Sequence, residues 1–482
     1  MKELTDRALN LAHTKGASYA DIRMIDMETQ SIAVKNGIVE GISLHTSQGF
    51  GVRVIADGAW GFASSSRLEP EEVDRITALA VQIAKASGLV KGEEIDLGPP
   101  EVHRDTYRTP VEIDPFQVSL EQKIDLLLAC DEAMRKTKGV AVAEGNMLFL
   151  RERQTFASTE GSLIEQEIIE TGAGLVATAV SEDEIQKRSY PNSFGRHQGT
   201  AGYEFVQRYD LLENAQRLGE EAVALLSSRQ CPSDVTTLIL GPTQLALQVH
   251  ESCGHPTELD RVLGTEASYA GTSFLTPEKL GDFRYGSVTV NITADATLPG
   301  GLGTFGYDDE GVPAQRTHLV KGGIFVGYLT SRETGSGYGL RSNGTMRADG
   351  WSNIPLIRMT NINLEPGEWE LDDLIADTDE GIYMEMNRSW SIDDKRLNFQ
   401  FGTEIAYEIK KGKWGDLLKN ATYAGMTPQF WASCDAICNE KQWDVWGTPN
   451  CGKGQPSQVA HVGHGASIAR FRNVQVGVMT SS

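Results

Sequence analysis

Basic residues are in short supply in this chain of 482 residues. Lys and Arg total 44 against 66 Asp and Glu, a formal charge of −22. That surplus repels phosphate backbones and anionic headgroups, so neither nucleic acid nor a membrane surface is an expected partner. Cysteine is scarce too: six in this length are too few for a disulfide framework. Reduced thiols and a cytoplasmic location are therefore expected, and a reduced thiol remains available as a metal ligand. No apolar run approaches a membrane span. The opening MKELTDRALNLAHTKG has acidic residues inside a helical pattern and lacks the uninterrupted apolar stretch of a signal peptide.

The remaining pattern predicts an α+β fold, with an N-terminal α/β region of mixed helices and antiparallel strands followed by a mainly antiparallel β domain. Residues 4–14 and 70–86 have helical periodicity, with Asn36-Gly37 and Asp57-Gly58 as hairpin turns between them. The stretch GPPEVHRDTYRTPVEIDP holds four prolines without periodicity and reads as a linker. A second helix–strands–helix pattern follows, opened by Ser119 with Gln122 in a capping-box spacing and closed by a helix over 211–226. The expected division is 1–97, a linker at 98–116, 117–228, and a β-rich catalytic domain at 229–482. In that last part, strands are expected at 288–293, 318–320, 324–329, 357–360, 399–401 and 405–409, with hairpin turns at KGG 321–323 and KKGK 410–413.

One helix stands out in the β-rich part, PTQLALQVHESCGHP, with Pro242 at its start and Leu245, Leu247 and Val249 as apolar surface. His250 and His255 are one residue further apart than the histidines of H-E-x-x-H. In a regular α-helix residues five apart differ by roughly 500°, about 140° off a common face. The pair can share a metal only if the helix ends or bulges between them. Gly254 as a left-handed cap and Pro256 as a helix breaker would end it near Cys253; a π-bulge through Ser252-Cys253 would serve equally. Glu251 then fits a general base acting on a water that the metal acidifies. A third ligand is required, and Cys451, Cys434, Cys438, His461 and His464 are the candidates. Cys451 has the best context, with glycines on its flanks and Lys453 near enough to favour a thiolate.

Several segments, VKNGIVEGISLHTSQGFGVRVI, HESCGHPTELD, DDEGVPAQRTHLVKGGIFVGYL, PLIRMTNINLEPG and CGKGQ, together resemble the TldD/PmbA (TldD/TldE) family of metallopeptidases over nearly the whole chain. His250, Glu251 and His255 match the H-E-x-x-x-H of the TldD-type, catalytic branch. The resemblance implies one zinc ion per chain, with Cys451 as its third ligand and Glu251 as the catalytic carboxylate. It further implies hydrolysis of linear or unfolded peptides inside a cavity enclosed by a dimer, either a homodimer or a heterodimer with a PmbA/TldE-like paralogue. Pro256-Thr257 and HVGHGASIARFR depart from the family's pattern, which sets the chain in a different subgroup and leaves His461 or His464 as contacts for ligand or substrate.

Other residues carry weaker signals. Arg358, Thr360 and Asn361 in RMTN combine a cation with hydrogen-bonding groups suited to a peptide's carboxylate or backbone, although an Arg358 paired to an acid is the plainer expectation. Asp308-Asp309-Glu310 reads as a solvated turn. Cys434 and Cys438, at helical spacing, read as buried structural thiols rather than a second metal site. Trp431, Trp443 and Trp446 are expected to pack beneath the site. The alternative to an enzyme is a peptide-binding or chaperone-like protein with a structural metal. Glu251 separates the two, because a structural site has no use for a carboxylate beside its first ligand.

Overall fold

The computed structural model describes residues 1–90 and 94–477. The two helix–strands–helix patterns join edge to edge. Tyr19–Lys35 pairs antiparallel with Ile38–Ala56 on one side and with Val140–Ser158 on the other, and Leu163–Val180 continues the same sheet. Helices Lys2–Thr14 and Pro70–Gly88 cover one part of it, and Leu120–Arg135 and Leu211–Ser227 another. Both hairpin turns have the backbone their sequences demand: Asn36 and Gly37 have φ of 48° and 79°, and Asp57 and Gly58 have φ of 50° and 70°. Ser119 accepts from the Gln122 N–H at 3.2 Å, capping its helix. Within the proline-rich stretch, Arg104–Arg108 forms an edge strand parallel to Leu163–Val180.

The C-terminal part is built on a second sheet. Glu380–Ile392, Asp234–Leu240, Ala469–Val476, Thr422–Met426 and Asn398–Lys410 follow one another, and the last pairs back with the first to close a ring. Beside it stand a smaller sheet, in which Ile292–Asp295 is flanked by Arg316–Lys321 and Ile362–Leu364, and a two-stranded hairpin of Asp444–Lys453 with Gln458–Ala466. Lys410↔Lys413 and Lys321↔Ile324 close the two expected lysine-glycine turns.

Several expectations fail for identifiable reasons. The strand expected at 288–293 starts at Ile292, and Val288 is 71% exposed on a turn. The strands expected at 324–329 and 357–360 shrink to Ile324–Phe325 and Leu356–Ile357, because their other residues take bonds from loops and side chains. Cys434–Ile437 is a strand, so Cys434 and Cys438 do not have helical spacing; both are buried. Asp308, Asp309 and Glu310 are buried rather than solvated. Asp308 accepts from the N–H groups of Glu310, Val312 and Met346, and Asp309 from Gln154 and the Ala348 N–H. Burial raises the Glu310 carboxyl, and the nearby charges of Arg53 and Arg332 oppose that rise.

Arg53 also binds Asp21 at 2.8 Å, so this fully desolvated network ties the first sheet to the C-terminal part. Removing the cation strands two buried carboxylates. Arg53→Met is expected to destabilise the protein by about 3–5 kcal/mol, read as a lowered urea midpoint. Arg7→Met, which breaks only the exposed pair with Asp74, should leave that midpoint in place.

Candidate metal centre

The helix starting at Pro242 is regular only to Val249. His250–Gly254 is a single π turn, in which the His255 N–H donates to the His250 carbonyl five residues back, and a 3-10 turn, His255–Thr257, follows. The wider turn absorbs the extra residue and brings the two imidazoles to 4.9 Å between ring centres. Surrounding side chains take the carbonyls freed by the distortion. The Tyr285 hydroxyl donates to Ser252 O at 2.8 Å, and the Thr257 hydroxyl is 2.9 Å from both Cys253 O and Gly254 O. Gly254 is not a left-handed cap: its φ is −54°. A Cβ there would lie 2.2 Å from Met359 Sδ, which is the physical reason for glycine. His255 stays helical at φ −59° and ψ −42° despite Pro256, because the π turn has already relieved the chain direction.

Among the described residues, His250, His255 and Cys451 form the one group of three or more possible donors whose ligand atoms lie within 4.8 Å of one another, and all three are buried. Cys451 arrives on the hairpin strand, paired with Ala460. Its Sγ is 3.8 Å from His255 Nε2, close to the ~3.5 Å edge of a tetrahedron with zinc-like N and S bond lengths. The far nitrogens are already committed. His255 Nδ1 lies 2.9 Å from Glu258 Oε2, and His250 Nδ1 lies 2.7 Å from His464 Nε2. His464 Nδ1 faces the Ile362 carbonyl at 3.3 Å and can only donate to it. That leaves His464 Nε2 as acceptor, makes His250 Nδ1 a donor, and turns the His250 Nε2 lone pair toward the site. Burial works to raise the Cys451 thiol, yet His250, Arg358 and His255 hold it well below its usual value. Two imidazoles and a thiolate form a donor set that suits zinc rather than a hard cation.

Glu251 lies on the wall of a cavity of about 570 Å³ together with His250, His255 and Cys451. Burial would raise its carboxyl, but His250, Arg396 and His255 outweigh that and keep it below the ordinary range, hence ionised at neutral pH. One carboxylate oxygen is ion-paired with Arg396. Leu247, Phe194, Trp390 and Trp446 give the cavity apolar wall.

The other anticipated residues lie elsewhere. Arg358 is buried and donates to Cys451 O and Gln458 O, not to an acid. Thr360 is buried, and Asn361 is locked to Asp295 O and the Gly303 N–H. None of the three lines the cavity, and neither does His464, which stands behind His250. His461 is turned away onto Glu170 at 2.6 Å. Lys453 does not face the thiol. It is buried against Asp260 at 2.7 Å and Glu258 at 3.5 Å, and Arg358 is the cation near Cys451. Trp431 packs beneath the site, donating to Ser252 Oγ at 2.9 Å, whereas Trp443 caps Leu364 O. Glu258 and Arg396 went unnoticed in the sequence. Glu258, three residues after His255, carried a readable signal; Arg396 comes from a distant turn and carried none.

Comparison with known proteins gives three matches to models of one family: PmbA/TldA metallopeptidase domain 1 over residues 20–84, the central domain over 113–230 and the C-terminal domain over 233–477. A metalloprotease of Methanocaldococcus jannaschii is 31% identical over 94% of this chain and 95% of its own length. A more distant relative, a zinc metalloprotease TldD homolog of Saccharolobus solfataricus, is 22% identical over 86% of this chain and 88% of its own. The crystal structure of TldE from Thermococcus kodakarensis shares the fold, with a TM-score of 0.76 at 17% identity over 98% of this chain and all of that one.

Because His464 and Glu258 orient the two imidazoles, His464→Ala or Glu258→Ala is expected to weaken metal binding about 10–100-fold. Competition with a chromophoric chelator measures this, and an unchanged affinity in both variants would remove the orienting role.

Proposed function

This chain belongs to the PmbA/TldD family of metallopeptidases, and from that premise we propose that it hydrolyses linear or unfolded peptides with one zinc ion held by His250, His255 and Cys451 and with Glu251 as general base. The supporting observation is a convergence: three buried N, N and S donors and an ionised carboxylate meet on the wall of one cavity. When bound there, zinc supplies a Lewis acid that polarises a carbonyl and acidifies water toward neutrality.

The chain's own groups do the rest. Glu251 takes the proton from the attacking water and passes it to the leaving amine, which requires a carboxylate that starts ionised. Arg396 pairs with one oxygen of that carboxylate and so helps hold it beside the metal ligands. Leu247, Trp390 and Trp446 keep bulk water away from the bond being cut and receive side chains of an extended peptide. A cavity of about 570 Å³ takes a few residues of unfolded chain and excludes a folded domain. The working unit is a dimer that encloses this cavity, with a second copy or a TldE-like paralogue as partner, and the location is cytoplasmic. In this reading 229–482 is the catalytic domain, with 1–97 and 117–228 as its supports on either side of 98–116.

Glu251→Ala is expected to lower hydrolysis of a linear peptide by about 100-fold or more while zinc stays at one per chain. Mass spectrometry of the peptide and metal analysis of the protein measure the two halves. Wild-type cleavage by that variant would sink the base, and activity that survives metal removal would sink the cofactor. Dialysis against a chelator should abolish cleavage, and added zinc should restore it. Peptides left intact across a broad panel would favour a peptide-binding, chaperone-like protein.

A further inference from the structure

Two arginines line the metal-bearing cavity, and their situations differ. Arg396 is neutralised by Glu251. Arg196 has neither a hydrogen bond nor an ion pair among the described residues, and the acid whose charge it feels is Glu170. That carboxylate is already engaged by His461 at 2.6 Å and by Gln198 at 2.7 Å. Partial burial also presses on Arg196, lowering its pKa from the usual arginine value. A partly buried guanidinium without a protein partner is free to make charge-assisted hydrogen bonds to an anion that enters the cavity.

Its backbone is held firmly. Asn192 donates to Gly447 O at 3.1 Å, Ser193 Oγ accepts from the Asn387 N–H at 2.8 Å, and Gly195 O accepts from Asn146 at 3.0 Å. On the far side, His197 Nδ1 accepts from the Gly447 N–H at 3.3 Å. Gly195, at φ 69°, packs so closely on the sheet that a Cβ on it would lie 2.1 Å from Val176. The loop leaves the first sheet unit, is pinned to the metal-bearing part on both sides of Arg196, and presents Arg196 and Phe194 to the cavity. Phe194, 46% exposed, meets Trp390 edge-on at 5.8 Å, so an aromatic wall stands beside the cation.

Of the two arginines in the cavity lining, Arg396 is paired with Glu251 and only Arg196 stands without an acid partner, inside a chain of net charge −22. A planar guanidinium fork matches a carboxylate through two parallel hydrogen bonds. We propose that Arg196 is a specificity residue that binds a carboxylate of the peptide, supplied by its C-terminus or by an Asp or Glu side chain, with an apolar neighbour against Phe194 and Trp390. The inference rests on the peptidase reading for what happens next to the peptide, and not for the binding itself.

The test is calorimetric binding to metal-free protein, prepared by dialysis against a chelator, with three short N-acetylated peptides of one apolar sequence. The first has a free C-terminus, the second is amidated, and the third is amidated with an internal Glu. Amidation is expected to weaken binding by about 10–100-fold in the wild-type protein, the range for a charge-assisted contact. Arg196→Met is expected to bind all three alike, at the level of the plain amide. Preference for the free terminus alone identifies the C-terminus as the source, and recovery of affinity with the Glu peptide identifies a side chain. Equal or unmeasurable binding of the three by the wild-type protein overturns the proposal, as does a preference that survives in Arg196→Met. The wild-type comparison needs no variant to fold. Because nothing is cleaved in it, a protein that discriminates these peptides but hydrolyses none would refute the peptidase reading alone.

Discussion

One hydrogen bond, from the His255 N–H to the His250 carbonyl, sets the geometry on which the site depends. It replaces the α-helical repeat with a π turn at the one place where two ligands five residues apart must face the same way. A π turn is a poor local conformation, and here the surroundings hold it. Tyr285 and Thr257 take the displaced carbonyls, Met359 fills the space that a side chain on Gly254 would need, and Trp431 anchors Ser252 from below. The C-terminal core clamps a short distortion in the manner expected where function is placed on strained backbone.

Much of this could be read from residue order, because it rests on local chemistry. The spacing of His250 and His255 excluded a regular helix, and the two Xaa-Gly turns needed positive φ. Other features escaped because they depend on what lies across space. Asp308-Asp309-Glu310 looks like a solvated turn until Arg332 and, from far away in sequence, Arg53 are brought against it. Lys453 stands two residues from Cys451, but the fold points it into a cluster of acids, and Arg358 is the cation beside the thiol. Arg358 and Asn361 have the composition of a substrate contact, yet their side chains are spent on holding backbone behind the site.

The chain also divides its labour unevenly. The C-terminal part holds the candidate ligands and the carboxylate, whereas the first sheet contributes the loop at residues 192–196 that completes the cavity wall. Buried ion pairs bind the two parts at several points, including Arg53 with Glu310 and Arg188 with Glu404. The sheet's position relative to the metal-bearing helix is therefore fixed to the precision of those contacts, and so is the wall it supplies.

Cys451 and Lys453 sit on one face of a strand, two residues apart, and each engages the segment that carries His255: the thiol meets the imidazole, and the ammonium meets the Glu258 that orients it. The pair acts as a gauge block between two stretches of chain almost two hundred residues apart. A slip of the hairpin by one residue would turn both side chains away together, and a slip by two would bury an ammonium with no acid to receive it. Misregistered hairpins are thereby priced out before any ion arrives, so the spacing of the third ligand is proofread by a residue that never touches the metal.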